Sequence, residues 1–337
     1  MLKRRQTRQV HRVLALVVLV QLAAAGEATD RSRAAAIERV RAVIESVRFV
    51  AYTPTDLTIV AGRVRPASAQ QIRKDLGTLR RDFQGLVMYS CANGLEAVPA
   101  IADELDFKAL ILGIWDLQSG REIANAVRLA QAYPRLVMGV VVGNETLLAE
   151  RNDWATLRES IQRVHAALPD VAITTSEPFY FYLDEDPPDF LSVQDFLLPS
   201  IHPLYEPWYP QATTERAVDF VLQVAARLSE KTDKPLLIKE TGLPSGPAAQ
   251  GFTPARQAGF WVELTRHLPL LSGPGLVYFE AFDHAWKAEN IEPRFGSRPE
   301  EAYWGLYRED GKPKPVMQAL RRIWRAQADA RAGLPAP

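Results

Sequence analysis

Eight short runs rich in Val, Ile, Leu and aromatic residues recur along this chain, and their spacing limits the folds open to it. They are RFVAYTP from Arg48, GLVMYSC from Gly85, KALILGIW from Lys108, RLVMGVVVGNE from Arg135, VAITTSEPF from Val171, DFLLPSIHPLY from Asp195, PLLIKETG from Pro235 and GLVYFEAFD from Gly275. Their starts lie 23 to 40 residues apart, which leaves room for a strand, a loop, a helix and a return loop. Near-continuous apolar strands belong to a parallel sheet whose outer face is covered. The segments between them carry helical spacing. Ile72, Leu76, Leu79 and Phe83 follow an N-cap at Ser68, and Leu157, Ile161, Val164 and Leu168 follow Asp153. Residues 213–228, 254–268 and 316–324 continue the pattern.

Eight such alternations predict an α/β fold of the (β/α)8 TIM-barrel type, a single catalytic domain over residues 47–325. A lead-in helix is expected over 26–46 and a frayed tail over 326–337. A doubly wound open sheet would show the same alternation, but its usual phosphate loops are missing. No GxGxxG follows a strand, Gly311 and Lys312 are followed by Pro313, and GLPSG at 242–246 places its serine one position late for a nucleophile elbow.

Residues 1–25 have a different character. Lys3, Arg4, Arg5, Arg8 and Arg12 precede an apolar stretch from Val13, and Ala23, Ala24 and Ala25 end it. That is the layout of a signal peptide or membrane anchor, so the protein is expected to be exported, periplasmic or held at the inner membrane facing the periplasm. The whole chain balances 40 basic against 40 acidic residues; without the five bases of this segment, 35 stand against 40 and the net charge is about −5. No basic excess remains to meet phosphates, so a nucleic acid is not an expected partner. Cys91 is the single cysteine, which rules out an intrachain disulfide and reads as a small buried apolar residue.

In a barrel of this kind the reactive groups sit where strands end and βα loops begin. Read in order, those positions hold Tyr52, Tyr89, Trp115, Asn144 with Glu145, Glu177, His202 with Tyr205, Glu240, and Glu280 with Phe282 and Asp283; Trp286 lies just beyond. Glutamate is disfavoured in strands and costly to bury, so four of them at strand ends call for a chemical reason. Glu145 and Glu240 close the fourth and seventh runs, which lie across a barrel from each other. Two opposed carboxylates are what glycoside cleavage requires: one protonated to donate to the leaving oxygen, one ionised to attack the anomeric carbon. Trp115, Tyr205, Trp208, Tyr209 and Trp286 supply rings on which sugar CH faces can pack. No metal or other cofactor is expected. His11 falls in the leading segment, His165 and His267 fall in helices, and neither HxH nor HExxH occurs.

These residues form recognisable motifs. GNE ending at Glu145, ETGLPSG from Glu240, FEAFDHAWK from Phe279 and YWGLYREDGKPKP from Tyr303 together resemble glycoside hydrolase family 17, in particular its bacterial branch acting on β-1,3-glucans. The resemblance runs in order over residues 48–324. It implies a retaining mechanism with Glu145 as general acid/base, Glu240 as nucleophile and Asn144 on the sugar 2-hydroxyl. It implies further that Glu280, Phe282 and Asp283 floor the groove, with Trp286 and Lys287 at its edge. The implied partner is a β-glucan oligo- or polysaccharide, met by an enzyme that is either released by cleavage of its N-terminal segment or anchored to the inner membrane through it. Two positions depart from the plant members: Leu243 stands where they carry Trp in ESGWPS, and His202 stands where they carry the Tyr of NxYP. Both line the expected cleft, so the plant pattern of endo cleavage is not carried over and the choice between exo and endo action stays open. Hydrolysis of β-1,3-glucan is the leading expectation. Glucanosyl transfer that remodels envelope glucans is the alternative, and a non-catalytic glucan-binding protein is the second. A retaining barrel for β-mannan or β-1,4-glucan is a rival among enzymes.

Overall fold

The computed structural model describes residues 29–270, 273–290 and 296–332. The expected signal or anchor segment, 1–25, lies outside the described residues. Among the described residues no helix is long and apolar enough to cross a membrane.

The described residues begin with helix α1 over 29–46 and enter strand β1 (Phe49–Tyr52). A small antiparallel hairpin, β2 (Thr58–Val60) and β3 (Arg63–Arg65), follows. The alternation then runs α2 (Ala69–Leu79), β4 (Gly85–Met88), α3 (Val98–Glu104), β5 (Ala109–Ile114), α4 (Gly120–Ala132), β6 (Val137–Asn144), α5 (Trp154–Ala167) and β7 (Ala172–Ser176). It ends with α6 (Phe179–Asp184), α7 (Thr214–Lys231), β8 (Leu237–Ile238), α8 (Pro254–His267), β9 (Gly275–Tyr278), α9 (Lys287–Asn290) and α10 (Pro315–Ala332). Helix starts follow local chemistry. Ser68, Ser119, Asp153, Thr213 and Thr253 each accept a hydrogen bond from a first-turn N–H, satisfying a donor that the helix itself cannot.

The sheet order is β7-β6-β5-β4-β1-β9-β8, every neighbouring pair parallel. Every residue of β1, β4, β5, β6, β7, β8 and β9 is buried, as expected for strands covered on both faces. The sixth apolar run closes the ring without forming a regular strand. Asp195 N–H donates to the Ile173 carbonyl and Ser200 N–H to that of Glu177, while Leu197 and Ile201 donate to Pro235 and Glu240 on the other side. Pro199 has no N–H to offer, which explains why this stave is a set of isolated bridges (Pro178 to Ser200, Leu197 to Leu236, Ser200 to Glu240). The fold is therefore the TIM barrel read from the sequence, with one irregular stave.

Two features depart from expectation. The tail expected to fray from 326 continues as helix to Ala332. Trp324 Nε1 donates to Tyr278 Oη at 3.0 Å and Gln327 Nε2 to the Thr265 carbonyl at 3.0 Å, so α10 is held against the barrel beyond its apolar stripe. The β2–β3 hairpin was hidden by its turn, Ala61–Gly62, in which both residues take positive φ, the geometry of a two-residue hairpin loop usually marked by Asn-Gly. α1 lies under the opposite end of the barrel from the βα loops. Ala36, Val40 and Ile44 are buried there, Arg33 pairs with Asp195, and Arg41 donates to the Asp233 carbonyl at 2.8 Å.

Close approach between staves depends on Gly113. A Cβ at that position would stand 2.4 Å from the Met88 carbonyl oxygen and 2.4 Å from the Tyr89 carbonyl carbon, so β5 would have to move off β4. Gly113→Ala is expected to lower stability by about 1–3 kcal/mol, read as an earlier midpoint in urea with unchanged slope.

Candidate active site

Glu145 stands immediately after the eight buried residues of β6. Its φ is +48°, and Gly143 just before it takes φ +80°, so the chain turns sharply out of the sheet. A left-handed conformation is unfavourable for a side chain of this size, and a dense set of bonds holds it. Glu145 N–H donates to the Ser176 carbonyl at 2.7 Å, and Arg151 N–H to the Thr146 carbonyl at 3.0 Å. Arg151 also donates to the Asn144 carbonyl. The buried carboxylate of Glu177 accepts from Leu147 N–H at 2.9 Å and Leu148 N–H at 3.2 Å.

Glu240 follows β8 and is fixed through its carbonyl, which accepts from Ile201 N–H at 2.7 Å. Its carboxylate meets Lys239 Nζ at 3.3 Å and His202 Nε2 at 3.5 Å. One oxygen of Glu145, one of Glu240 and a ring nitrogen of His202 all lie within 4.8 Å of one another. The two carboxylates differ in charge preference. Burial, reinforced by the charge of Glu240, pushes Glu145 up to about 7, against the pull of His202, Ser200 and Lys239. Burial would raise Glu240 as well, but Lys239, His202 and Lys287 outweigh it and hold the carboxyl well below the usual range. At neutral pH the pair thus combines a carboxyl that still carries protons with an ionised one, the division of labour that acid and nucleophile need.

Around the pair, Asn144 accepts through Oδ1 from Lys239, and the same ammonium sits 4.3 Å over the ring of Tyr89. Burial and the charges of Glu240, Glu280 and Glu145 push the Tyr89 phenol far up, so it stays a neutral group facing the acids. His202 packs edge-on among Tyr205, Phe279 and Trp304, with ring centroids 5.3 to 5.6 Å away. Of the rings expected at the mouth, Trp115 and Tyr205 are exposed, 39% and 42% accessible. The Arg151 guanidinium lies 4.0 Å over Trp115 and that of Arg298 lies 4.3 Å over Tyr205. Trp286 is half-buried against His284.

Several residues expected to touch substrate are placed otherwise. Tyr52 is fully buried and donates to Asp75 at 3.2 Å, and Phe282 is buried between Tyr52 and Tyr307. Both belong to the layer beneath the mouth. Glu177 is spent on the backbone of the Glu145 turn, as described. Glu280 is buried with both oxygens held by Lys287 Nζ at 2.7 and 2.6 Å. Asp283 is tied to Lys314 at 2.6 Å and to Gly305 N–H at 3.0 Å. Trp208 and Tyr209 also turn inward, Trp208 against Phe220 of α7 and Tyr209 into the core. The residue missed is Lys239, a fully buried lysine in the middle of the cluster. Its signal was a single cation inside the apolar run PLLIKE. Glu145, His202 and Glu240 are spaced closely enough to grip a cation, yet Lys239 already sets a positive charge against Glu240.

Comparison with known proteins agrees with this geometry. The family model of the BtgE/BtgC glycoside hydrolase domain matches residues 50–305. A glucan 1,3-beta-glucosidase of Arthroderma benhamiae is 27% identical over 258 residues, covering 72% of this chain and 82% of that protein. Among solved structures, an endo-laminarinase from Formosa aligns with a TM-score of 0.64 at 19% identity, over 82% of this chain and 86% of its own. The glycoside hydrolase family 17 beta-1,3-glucanosyltransferase of Rhizomucor miehei aligns with a TM-score of 0.60 at 18% identity, over 80% and 95%. At those identities the structural likeness carries the fold, and the sequence match carries the family. With opposed glutamates at one barrel mouth and most of its length under a single family model, the chain belongs to the BtgE/BtgC glycoside hydrolase domain family.

Proposed function

We propose that this glycoside hydrolase cleaves β-1,3-glucan with retention, through a covalent glucosyl ester on Glu240. The observation that carries the reading is the close approach of Glu145 and Glu240, within 4.8 Å oxygen to oxygen, together with their opposite displacements in acidity. Inverting pairs stand farther apart to admit a water between them, roughly 6.5–9.5 Å, and retaining pairs about 5–5.5 Å. The linkage rests on the relatives: the Arthroderma protein is a glucan 1,3-beta-glucosidase and the Rhizomucor enzyme a beta-1,3-glucanosyltransferase. Export of the enzyme, by way of residues 1–25, is part of the same proposal and rests on their basic and apolar layout.

In the first step a Glu240 oxygen attacks the anomeric carbon while the bond to the glycosidic oxygen breaks, and Glu145 gives that oxygen its proton. In the second, Glu145, now a carboxylate, takes a proton from an incoming hydroxyl, whose oxygen displaces Glu240 from the anomeric carbon. Water as that hydroxyl gives hydrolysis; a sugar hydroxyl gives transfer. The partly exposed rings of Trp115 and Tyr205 are the surfaces on which sugar rings would pack.

Mass and linkage analysis of products from a defined β-1,3-gluco-oligosaccharide tests the reading. Shorter products alone denote hydrolysis, longer ones transfer, and no product removes the proposal. Glu240→Ala is expected to cut turnover by about a thousandfold or more; a loss smaller than tenfold would exclude Glu240 as nucleophile. For Glu145→Ala, oligosaccharide cleavage is expected to fall by about 10²–10⁴-fold while aryl glucosides with good leaving groups are largely spared, because their departure needs no proton.

The pH profile follows from the same shifts. The first step needs Glu145 protonated, so kcat/KM is expected to decline as pH rises through about 7 and to stay high below it until Glu240 protonates. A profile still rising above pH 7 would contradict the assignment of Glu145 as acid.

A further inference from the structure

Lys239 is the charged group that the reaction scheme does not yet use. It is fully buried, and its ammonium has three donors and no acceptor capacity. Those donors face Asn144 Oδ1, Glu240 Oε1 at 3.3 Å and the π face of Tyr89, whose centroid lies 4.3 Å away. A lysine costs several kcal/mol to bury unless its surroundings answer its charge. Here three carboxylates answer it: burial pulls the ammonium below the ordinary lysine range, while Glu240, Glu145 and Glu177 work the other way.

The other groups facing Glu240 are less able to do the same. Glu145 comes from the end of β6 and is itself acidic. Tyr89, from the end of β4, is a neutral phenol whose ionisation is suppressed. His202 stands at 3.5 Å. Lys287, from α9, is committed to both oxygens of Glu280. In a site shielded from water, a cation in direct contact acts far more strongly than one already neutralised elsewhere.

We propose that Lys239 is a positioning residue for both halves of the reaction, keeping Glu240 ionised and fixing the Asn144 amide so that its NH2, not its oxygen, is free for a sugar hydroxyl. The inference rests on the retaining β-1,3-glucan reading above. It extends to the second step, in which Glu240 must leave the anomeric carbon as a carboxylate: a cation at 3.3 Å stabilises that leaving group as it forms. The bond broken is the glucosyl ester C–O, the electron pair goes to Glu240, and the proton of the attacking hydroxyl goes to Glu145.

The test compares the parent with Lys239→Met and Lys239→Arg on a β-1,3-gluco-oligosaccharide and on an activated aryl β-glucoside. In Lys239→Met the acid limb of kcat/KM is expected to move up by one pH unit or more, a tenfold change in the Glu240 ionisation constant. A burst of aryl release followed by slow turnover is expected as the second step slows. Lys239→Arg, which keeps the charge, is expected to hold the limb within half a unit of the parent. A limb that stays put in a folded Lys239→Met protein overturns the proposal. If Lys239→Met yields no folded protein, the parent decides alone: its acid limb must lie below the ordinary glutamate value of about 4.3, and a limb at or above that value overturns the proposal. A parent that makes no product from the oligosaccharide defeats the functional reading and this inference with it, whereas an active parent with an unmoved limb defeats only the role of Lys239.

Discussion

Closure of the strand ring is what brings the two halves of the site together. Asn144 and Lys239 are 95 residues apart in sequence and bonded in space, and their neighbours Glu145 and Glu240 meet for the same reason. The meeting depends on the irregular stave at 195–201, which hands hydrogen bonds to β7 on one side and to the β8 segment on the other. That stave also carries His202, delivered to Glu240 directly from the point of closure. Structure and chemistry are coupled at this seam: a gap there would separate β7 from β8, and with them Glu145, bonded to Ser176 of β7, from Glu240.

The left-handed turn at Glu145 is the second place where structure is spent on chemistry. Such a conformation costs on the order of 1–3 kcal/mol for a non-glycine residue. Its return is direction, since the turn sends the side chain of Glu145 across the mouth instead of along the strand. The buried Glu177 explains how the turn persists. Burial pushes its own carboxyl up to about 8 against the pull of the backbone donors it accepts from, so one strand-end glutamate serves the geometry of another.

Much of this was legible in the sequence, and most of the exceptions share a cause. Parallel strands covered on both faces read as unbroken apolar runs, so all eight staves were visible, including the sixth that forms no regular strand. Glu145 and Glu240 stood out because a charged group at the end of such a run is costly to bury. What the sequence did not reveal is depth. Tyr52, Glu177, Phe282 and Glu280 sit at strand ends just as Glu145 and Glu240 do, and nothing in their spacing says that they are buried against other groups of the protein. Lys239 went unnoticed because the partners that make it buried and central, Tyr89 and Asn144, come from β4 and β6. The helical end of the chain past 325 was missed for another reason: Ala, Arg and Gln favour helix without an apolar stripe, and its anchors are single bonds to distant strands.

The placement of α1 has a consequence for how so large a substrate could be handled. Its contacts are with Asp195, Asp233 and the start of β9, all at the pole where strands begin. Among the described residues, α1 therefore meets the barrel at its closed base, away from the pole that bears the βα loops. An insoluble or wall-bound polymer could be met head-on, with the body of the molecule trailing behind the point of contact.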